Sequence, residues 1–259
     1  EDTDSYMECT DDLNRVCEDI ENCTGDTSIA LSRIADNGQF FEVKADYGKS
    51  VAVGFIRLNG ATVGAVANRS ECYDAEGKKV WESDGTLSAR GARKAAEFVK
   101  FCDAFEIPVL TLTNVNGFKA TVCGEKMMAK SVGALVHAFA DATVPKVNVV
   151  IGKAFGTAYT AMNSKAIGAD MVYAWDNAEI GMMDADLAAK IMYAGDDAAA
   201  LTEKAAEYRE LQNSVSSAAA RGYVDTIISP ADTRKYVIGA FEMLFTKREE
   251  RPSKKHGTV

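Results

Sequence analysis

Between Pro145 and Met183 the chain reads PKVNVVIGKAFGTAYTAMNSKAIGADMVYAWDNAEIGMM, and this stretch restricts the possible folds more than any other. Lys146 to Ile151 is a short apolar run rich in Val and Ile, the pattern of a strand buried on both faces. Gly152 and Gly156 interrupt it, and Ala158, Ala161, Met162, Ala166 and Ile167 then recur at helical spacing. The pattern predicts a strand that stops at a glycine-bearing turn and a helix that starts about Thr157. Peptide N–H groups in the first turn of such a helix have no intrahelical acceptor, and the helix dipole adds positive potential there. A turn such as Phe155-Gly156-Thr157 can therefore present backbone donors to an anionic oxygen. The same glycine also suits a turn that merely packs tightly, and the local pattern leaves both readings open.

A chain of 259 residues can bury a large core, as one big domain or two small ones. The 47% hydrophobic and 26% charged content is that of a globular protein. No apolar run approaches the ~20 residues of a membrane-spanning helix, which argues against a membrane protein. There is no basic and apolar N-terminal signal pattern either, so the expected location is cytoplasmic. The formal charge of −9 argues against a nucleic-acid surface, although an anion needs only a local positive site. The six cysteines form no CxxC pair and only two histidines accompany them, so the expectation is reduced thiols and no metal. The first residue is Glu1 rather than Met, which suggests a piece of something longer.

In chain order, Glu1 to Asp26 is acidic, and Leu13, Val16, Cys17 and Ile20 share helical spacing, which predicts a short amphipathic helix. Ile29 to Ala35 reads as one or two helical turns, Asp36-Asn37-Gly38 as a turn, and Phe40 to Lys44 as a strand. Ser50–Leu58 and Ala61–Ala67 read as strands joined at Asn59-Gly60, the strongest two-residue hairpin signal. Arg69 to Thr86 is expected to be a loop, and Ser88 to cap a helix running to Ala104. Pro108–Thr113 reads as a buried strand leading into the turn Asn114–Phe118, with helix again from about Glu125 to Ala140. Met171–Trp175 and Ala178–Met182 read as strand pieces, Asp184–Tyr193 and Ala198–Arg221 as helices, and Ile227-Ile228 as a last strand. Pro230 suits the first turn of a final helix to about Phe245, after which Lys247–Lys255 is a charged tail expected to be mobile. Strand–helix units of this kind make an α/β fold with ligands beyond the carboxyl ends of the strands, where the turns at Asn114–Phe118 and Gly152–Thr157 can face one crevice.

Several segments resemble the C-terminal half of the carboxyltransferase subunit of biotin-dependent acyl-CoA carboxylases. They are IADNGQFFEVKADYGKSVAVGFIRLNGATVGAVAN (Ile34–Asn68), FVKFCDAFEIPVLTL (Phe98–Leu112), ATVPKVNVVIGKAFGTAYTAMNSK (Ala142–Lys165), YAWDNAEIGMM (Tyr173–Met183) and the stretch Tyr223–Gly257. The resemblance runs in order from about Ile29 to the end and implies a crotonase-like spiral of ββα units. It divides the chain into an acidic N-terminal helix or linker (1–28), a crotonase-like domain (29–246) and the tail (247–259). It further implies transfer of CO2 between carboxybiotin, borne on a partner biotin carboxyl carrier domain, and an acyl-CoA. In that family the C-terminal half mainly receives biotin, the N-terminal half of a partner subunit holds the acyl-CoA, and the subunits form oligomers.

Carried over residue by residue, the resemblance places the biotin ureido oxygen on the backbone N–H groups of Gly156 and Thr157, where the family has a Gly-Gly pair in an AYGGAY segment. Thr157 keeps the N–H that a glycine there would have, while its β-carbon disfavours positive φ. Phe155 and the pair Gly117 and Phe118, within the counterpart of a DVPGF segment, are implied to line the biotin pocket, with plain core as the other reading of Phe118. Thr160 stands where the family often has an Asp that helps choose the acyl chain, so the acyl group does not transfer by resemblance. Glu125 is read as a cap or solvent-facing residue. No Ser-His-Asp or Cys-His set can be assembled, because His137 lies in an apolar helix and His256 in the tail. Two rivals remain: a single-domain crotonase-type acyl-CoA hydratase or isomerase using Glu179 and Asp184, and a non-catalytic assembly subunit. For the first, the bland alternative is a turn acceptor at Glu179 and a helix N-cap at Asp184. For the second, helix faces around Ala134–Phe139 or Ala158–Met162 would be exposed interface.

Overall fold

The computed structural model describes residues 9–74 and 76–250, with Cys123 described by its backbone alone. Strand β1 (Phe40–Val43) is followed by β2 (Val51–Leu58) and β3 (Ala61–Asn68). The β2–β3 hairpin turns at Asn59 and Gly60, with φ of 51° and 77°, the pair of positive values that the Asn-Gly signal calls for. Next come a short hairpin of β4 (Glu71–Tyr73) and β5 (Lys79–Glu82), then helix α2 (Ala89–Ala104), β6 (Val109–Val115), α3 (Val122–Asp141) and β7 (Lys146–Phe155). The chain continues through α4 (Gly156–Ala161), β8 (Met171–Trp175), β9 (Glu179–Gly181), α5 (Ala185–Met192) and α6 (Ala198–Tyr208). It closes with α7 (Val215–Ala220), β10 (Thr226–Ile228) and α8 (Thr233–Met243), while α1 (Thr27–Ile34) precedes β1.

The main sheet runs β1-β2-β3-β6-β7-β8-β10, antiparallel up to β3 and parallel from there on, with β9 added beside β7. Alternation along the central strands sends Leu110, Leu112, Val147, Val149, Tyr173 and Trp175 to one face, where they join α1 and α8 in one core. Val109, Val115, Val150, Val172 and Ala174 go to the other face, under α2 and α3. Strands covered on both sides must be apolar throughout, which is why they read as continuous Val/Ile/Leu runs. Two hydrogen bonds join polar side chains inside this core: Thr113 Oγ1 donates to Asn148 Oδ1 at 2.8 Å, and Trp175 Nε1 to Thr233 Oγ1 at 2.9 Å.

Beyond Val150, β7 exchanges its neighbour. Val147–Val150 pair with β8, whereas Lys153–Phe155 pair with β9, so one strand belongs to two layers. Strand β8, the short strand β9 and helix α5 form a ββα unit, and the fold is crotonase-like.

Five local expectations need correction. Gly152 does not end the strand, which runs on to Phe155. Leu13–Ile20 is not an amphipathic helix: Cys17 N–H donates to the Ala231 carbonyl at 2.9 Å, and helix of the 3-10 kind covers only Ile20–Cys23. The Arg69–Thr86 loop contains the β4–β5 hairpin. The helix expected over Ala198–Arg221 is broken after a π turn at Arg209–Asn213, where the Ser214 side chain caps α7. The helix faces suggested as interface are mostly core, since Ala138, Phe139, Ala158, Ala161 and Met162 are buried.

The acidic N-terminal segment packs onto the domain through a buried charge network. Arg234 is fully buried and donates to the Asp12 and Ile34 carbonyls and, at 2.7 Å, to Asp36 Oδ1. Asp36 in turn accepts from the N–H groups of Asn59 and Gly60 in the β2–β3 turn. Asp11 completes the cluster, and the hydrogen-bonded Arg15 guanidinium holds its carboxyl down at about 2. A depressed carboxyl contributes stability that is present above its unfolded value and is lost as pH falls through the folded one. Unfolding free energy is therefore expected to drop between pH 3.8 and about 2, and Asp11→Asn to flatten that limb in an acid titration followed by circular dichroism. At the other end Lys247, the first residue assigned to the tail, is tied to the Val144 carbonyl and to Asp170; residues 251–255 of that segment lie outside the described residues.

Candidate functional site

Strands β6 and β7 are parallel neighbours, so Val115 and Phe155 bring their following turns to one edge of the sheet. The turn after β6 is fixed from both sides. Leu87 N–H donates to the Gly117 carbonyl at 2.8 Å, Lys119 N–H to the Leu87 carbonyl at 3.0 Å, and Asn116 Nδ2 to the Asp84 carbonyl at 2.8 Å. Gly117 adopts φ 135°, and no atom stands within 4 Å of where its β-carbon would be, so the turn offers a bare, open spot. Phe118 beside it is half-buried against the α2/α3 core, as its core reading expects.

The turn after β7 needs glycine in fact. Gly156 has φ 63°, and a β-carbon there would come within 3.2 Å of the Met182 carbonyl. Gly156→Ala is expected to cost about 1–2 kcal/mol through the left-handed backbone alone, seen as a lowered midpoint in denaturant with an unchanged slope. Phe155, at the last position of β7, is buried. Thr157 is exposed at the second position of α4.

Backbone donors at this bend are not equivalent. In a parallel ladder alternate residues face each neighbouring strand. Lys153 N–H is directed to β6, where Asn114 Oδ1 accepts it at 3.0 Å, so the amides of Ala154 and Gly156 face β9. Thr157 N–H lies past the ladder and within the first helical turn, where no intrahelical acceptor exists. Thr160 is half-buried one turn further on, with its Oγ1 3.5 Å from the Gly156 carbonyl. Tyr159 packs beneath the bend, and burial pushes its phenol up to about 12, so it stays protonated at neutral pH.

Each of the carboxylates that a hydratase would use has a cationic neighbour. Asp184 caps α5 by accepting from the N–H groups of Asp186 and Leu187, and its Oδ2 lies 3.3 Å from Lys153 Nζ. Burial works to raise its carboxyl, but Lys153 and the cap donors outweigh that and hold it below the usual range. Glu179 is no turn acceptor; it sits in β9 and pairs with Arg209 at 3.5 Å. His137 is half-buried in α3 with no hydrogen-bond partner at Nδ1, Glu125 is exposed behind the Thr121 cap, and His256 lies outside the described residues. Lys153 and the Asn114 side chain were not singled out by sequence; a lone cation at the end of an apolar strand was the available signal for Lys153.

A cavity of about 750 Å³ lies at the opposite end of the same strands, lined by Pro108, Pro145, Phe241 and Phe245, away from the bend. Among the described residues no cluster of His, Cys, Asp or Glu has the makings of a metal site, and no helix is long and apolar enough to cross a membrane.

The sheet topology places the fold in the crotonase-like class. Within that class the chain belongs to the carboxyl transferase domain family, whose profile matches residues 2–259. It is 42% identical over 254 residues to a putative propionyl-CoA carboxylase beta chain of Bacillus subtilis, covering 95% of this chain and 48% of that protein. It is 43% identical over 239 residues to the methylmalonyl-CoA carboxyltransferase 12S subunit of Propionibacterium freudenreichii subsp. shermanii, covering 90% of this chain and 44% of the relative. Among solved structures, a transcarboxylase 12S hexamer with methylmalonyl-CoA and methylmalonic acid bound superposes with a TM-score of 0.86 at 39% identity, over 98% of this chain and 49% of that one. The chain spans about half the length of the curated relatives it matches.

Proposed function

We propose that the chain forms the biotin-receiving half of a carboxyltransferase site that moves CO2 between carboxybiotin and an acyl-CoA. The supporting observation is that exposed Thr157, in the first turn of α4, and the open Gly117 turn follow neighbouring parallel strands at one edge of the sheet. These residues suit biotin, because a flat, neutral ring with one polar oxygen needs a bare approach, a single directed donor and an apolar edge such as Phe118. When bound, biotin supplies a labile carboxylate whose departure leaves negative charge on the ureido oxygen.

Toward that oxygen the chain would contribute Thr157 N–H, held at the N-terminal end of α4, where a fixed donor would stabilise the developing charge. Gly156 turns the backbone so that the donor faces outward. Gly117 leaves room on the neighbouring turn, and Thr160, where the family often has an Asp, faces the region that helps choose the acyl group. The acyl-CoA comes from an N-terminal carboxyltransferase half or subunit, biotin arrives on a carrier protein, and the working form is an oligomer. The free thiols of Cys9, Cys17, Cys23, Cys72 and Cys102 accord with a reducing, cytoplasmic setting.

The test is methylmalonyl-CoA-dependent carboxylation of free biotin, run with the purified chain alone and after adding an N-terminal half from a relative. Activity only in the mixture supports the half-site, and activity of the chain alone makes it a complete enzyme. No carboxylation in either case, or hydration of crotonyl-CoA without biotin, sinks the proposal.

A further inference from the structure

The exchange of neighbours along β7 is made at a bulge. Thr113 pairs with Val150 and the next pair is Val115 with Ala154, so two steps along β6 match four along β7. A bulge bends its strand and leaves a backbone group without a ladder partner. Here the N–H concerned belongs to Lys153, and its acceptor is the side-chain Oδ1 of Asn114 on β6 at 3.0 Å. Gly152 makes room for that carboxamide; a β-carbon at Gly152 would stand 2.7 Å from the same oxygen. On its other side Asn114 Nδ2 donates to the Thr24 carbonyl at 3.1 Å, while the Asn114 N–H donates to Asn68 Oδ1 at 3.2 Å.

We propose that Asn114 is a positioning residue for the Thr157 amide: its carboxamide holds the β7 bulge at the angle that aims this donor into the crevice. This deepens the function proposed above and rests on it. Only the short segment Lys153–Thr157 separates the bulge from the donor, and it is extended strand up to Phe155, so a rotation at Lys153 is carried to Thr157. The family segment DVPGF has an acid at this place. A carboxylate still accepts from Lys153 N–H but has no proton for the Thr24 carbonyl, so the acceptor is the part that positioning needs.

The experiment uses the full chain labelled with nitrogen-15. In Asn114→Ala, hydrogen-exchange protection of the Lys153 amide is expected to fall about tenfold or more, and the Thr157 cross-peak to move. In Asn114→Asp the acceptor remains, so Lys153 protection and the Thr157 position stay close to those of the parent although the Thr24 bond is gone. Thr233→Val, which removes the Trp175 bond and does not touch the bulge, serves as the structural control and leaves Thr157 unmoved. Unchanged spectra in Asn114→Ala, or an Asn114→Asp variant that matches Asn114→Ala, overturn the proposal, as does protection lost evenly from Val147 to Phe155. Titrating the parent with free biotin tests the underlying function separately: a silent Thr157 peak removes biotin from the bend, while the Lys153 and Thr157 changes still decide what Asn114 holds.

Discussion

Replacing Thr157 with Pro is expected to lower the turnover of the reconstituted carboxyltransferase by about 10²–10³, the usual loss when one donor to a developing oxyanion is removed. Proline is tolerated in the first turn of a helix because the N–H found there has no helical partner, so α4 is expected to survive. The companion change Thr157→Gly restores the residue of the AYGGAY pattern, keeps the amide, and is expected to leave turnover within about threefold, since the donor is what counts. Comparing kcat with KM locates the effect. A donor that acts on charge absent from the ground state affects kcat and kcat/KM alike and leaves KM nearly unchanged. If Thr157→Pro works as well as the parent, the bend is not the site of chemistry.

Arg234→Met is expected to give the largest loss of stability. Arg234 is fully buried, and its departure strands the carboxylate of Asp36, which is itself only 5% exposed. Breaking a buried pair by removing one partner costs about 3–5 kcal/mol. For a chain of this size that is a fall of roughly 6–20 °C in melting temperature, measurable by circular dichroism. Adding Asp36→Asn is expected to recover part of the loss. A neutral amide oxygen still accepts from the Asn59 and Gly60 N–H groups, while the unpaired charge is gone. A single variant that melts within about 2 °C of the parent would show that the network contributes little.

Much of the fold was legible because its causes are local. The Asn59-Gly60 turn, the Ser88 cap and the doubly buried strands β6 and β7 all follow from the chemistry of adjacent residues or from period. The failures share the opposite property. Gly152 reads as a strand breaker until Asn114, 39 positions before Lys153, supplies the acceptor that lets the strand continue through a bulge. Leu13, Val16, Cys17 and Ile20 have helical spacing, yet only Cys17 and Ile20 are buried, and backbone pairing with Ala231 competes with the helix. The positions of Gly156 and Thr157 were readable from the sequence, but the direction of each amide was not. It depends on which side of β7 meets β9, a fact of tertiary pairing.

The group that the proposed function places against the charge at this bend is a peptide unit, and peptide units are the same whatever residue is encoded. Threonine at position 157, where the AYGGAY pattern has glycine, therefore keeps the proposed contact; of the standard amino acids proline alone removes it. Selection at such a site acts on the path of the main chain, and the side chains around it are left free to diverge toward new acyl groups.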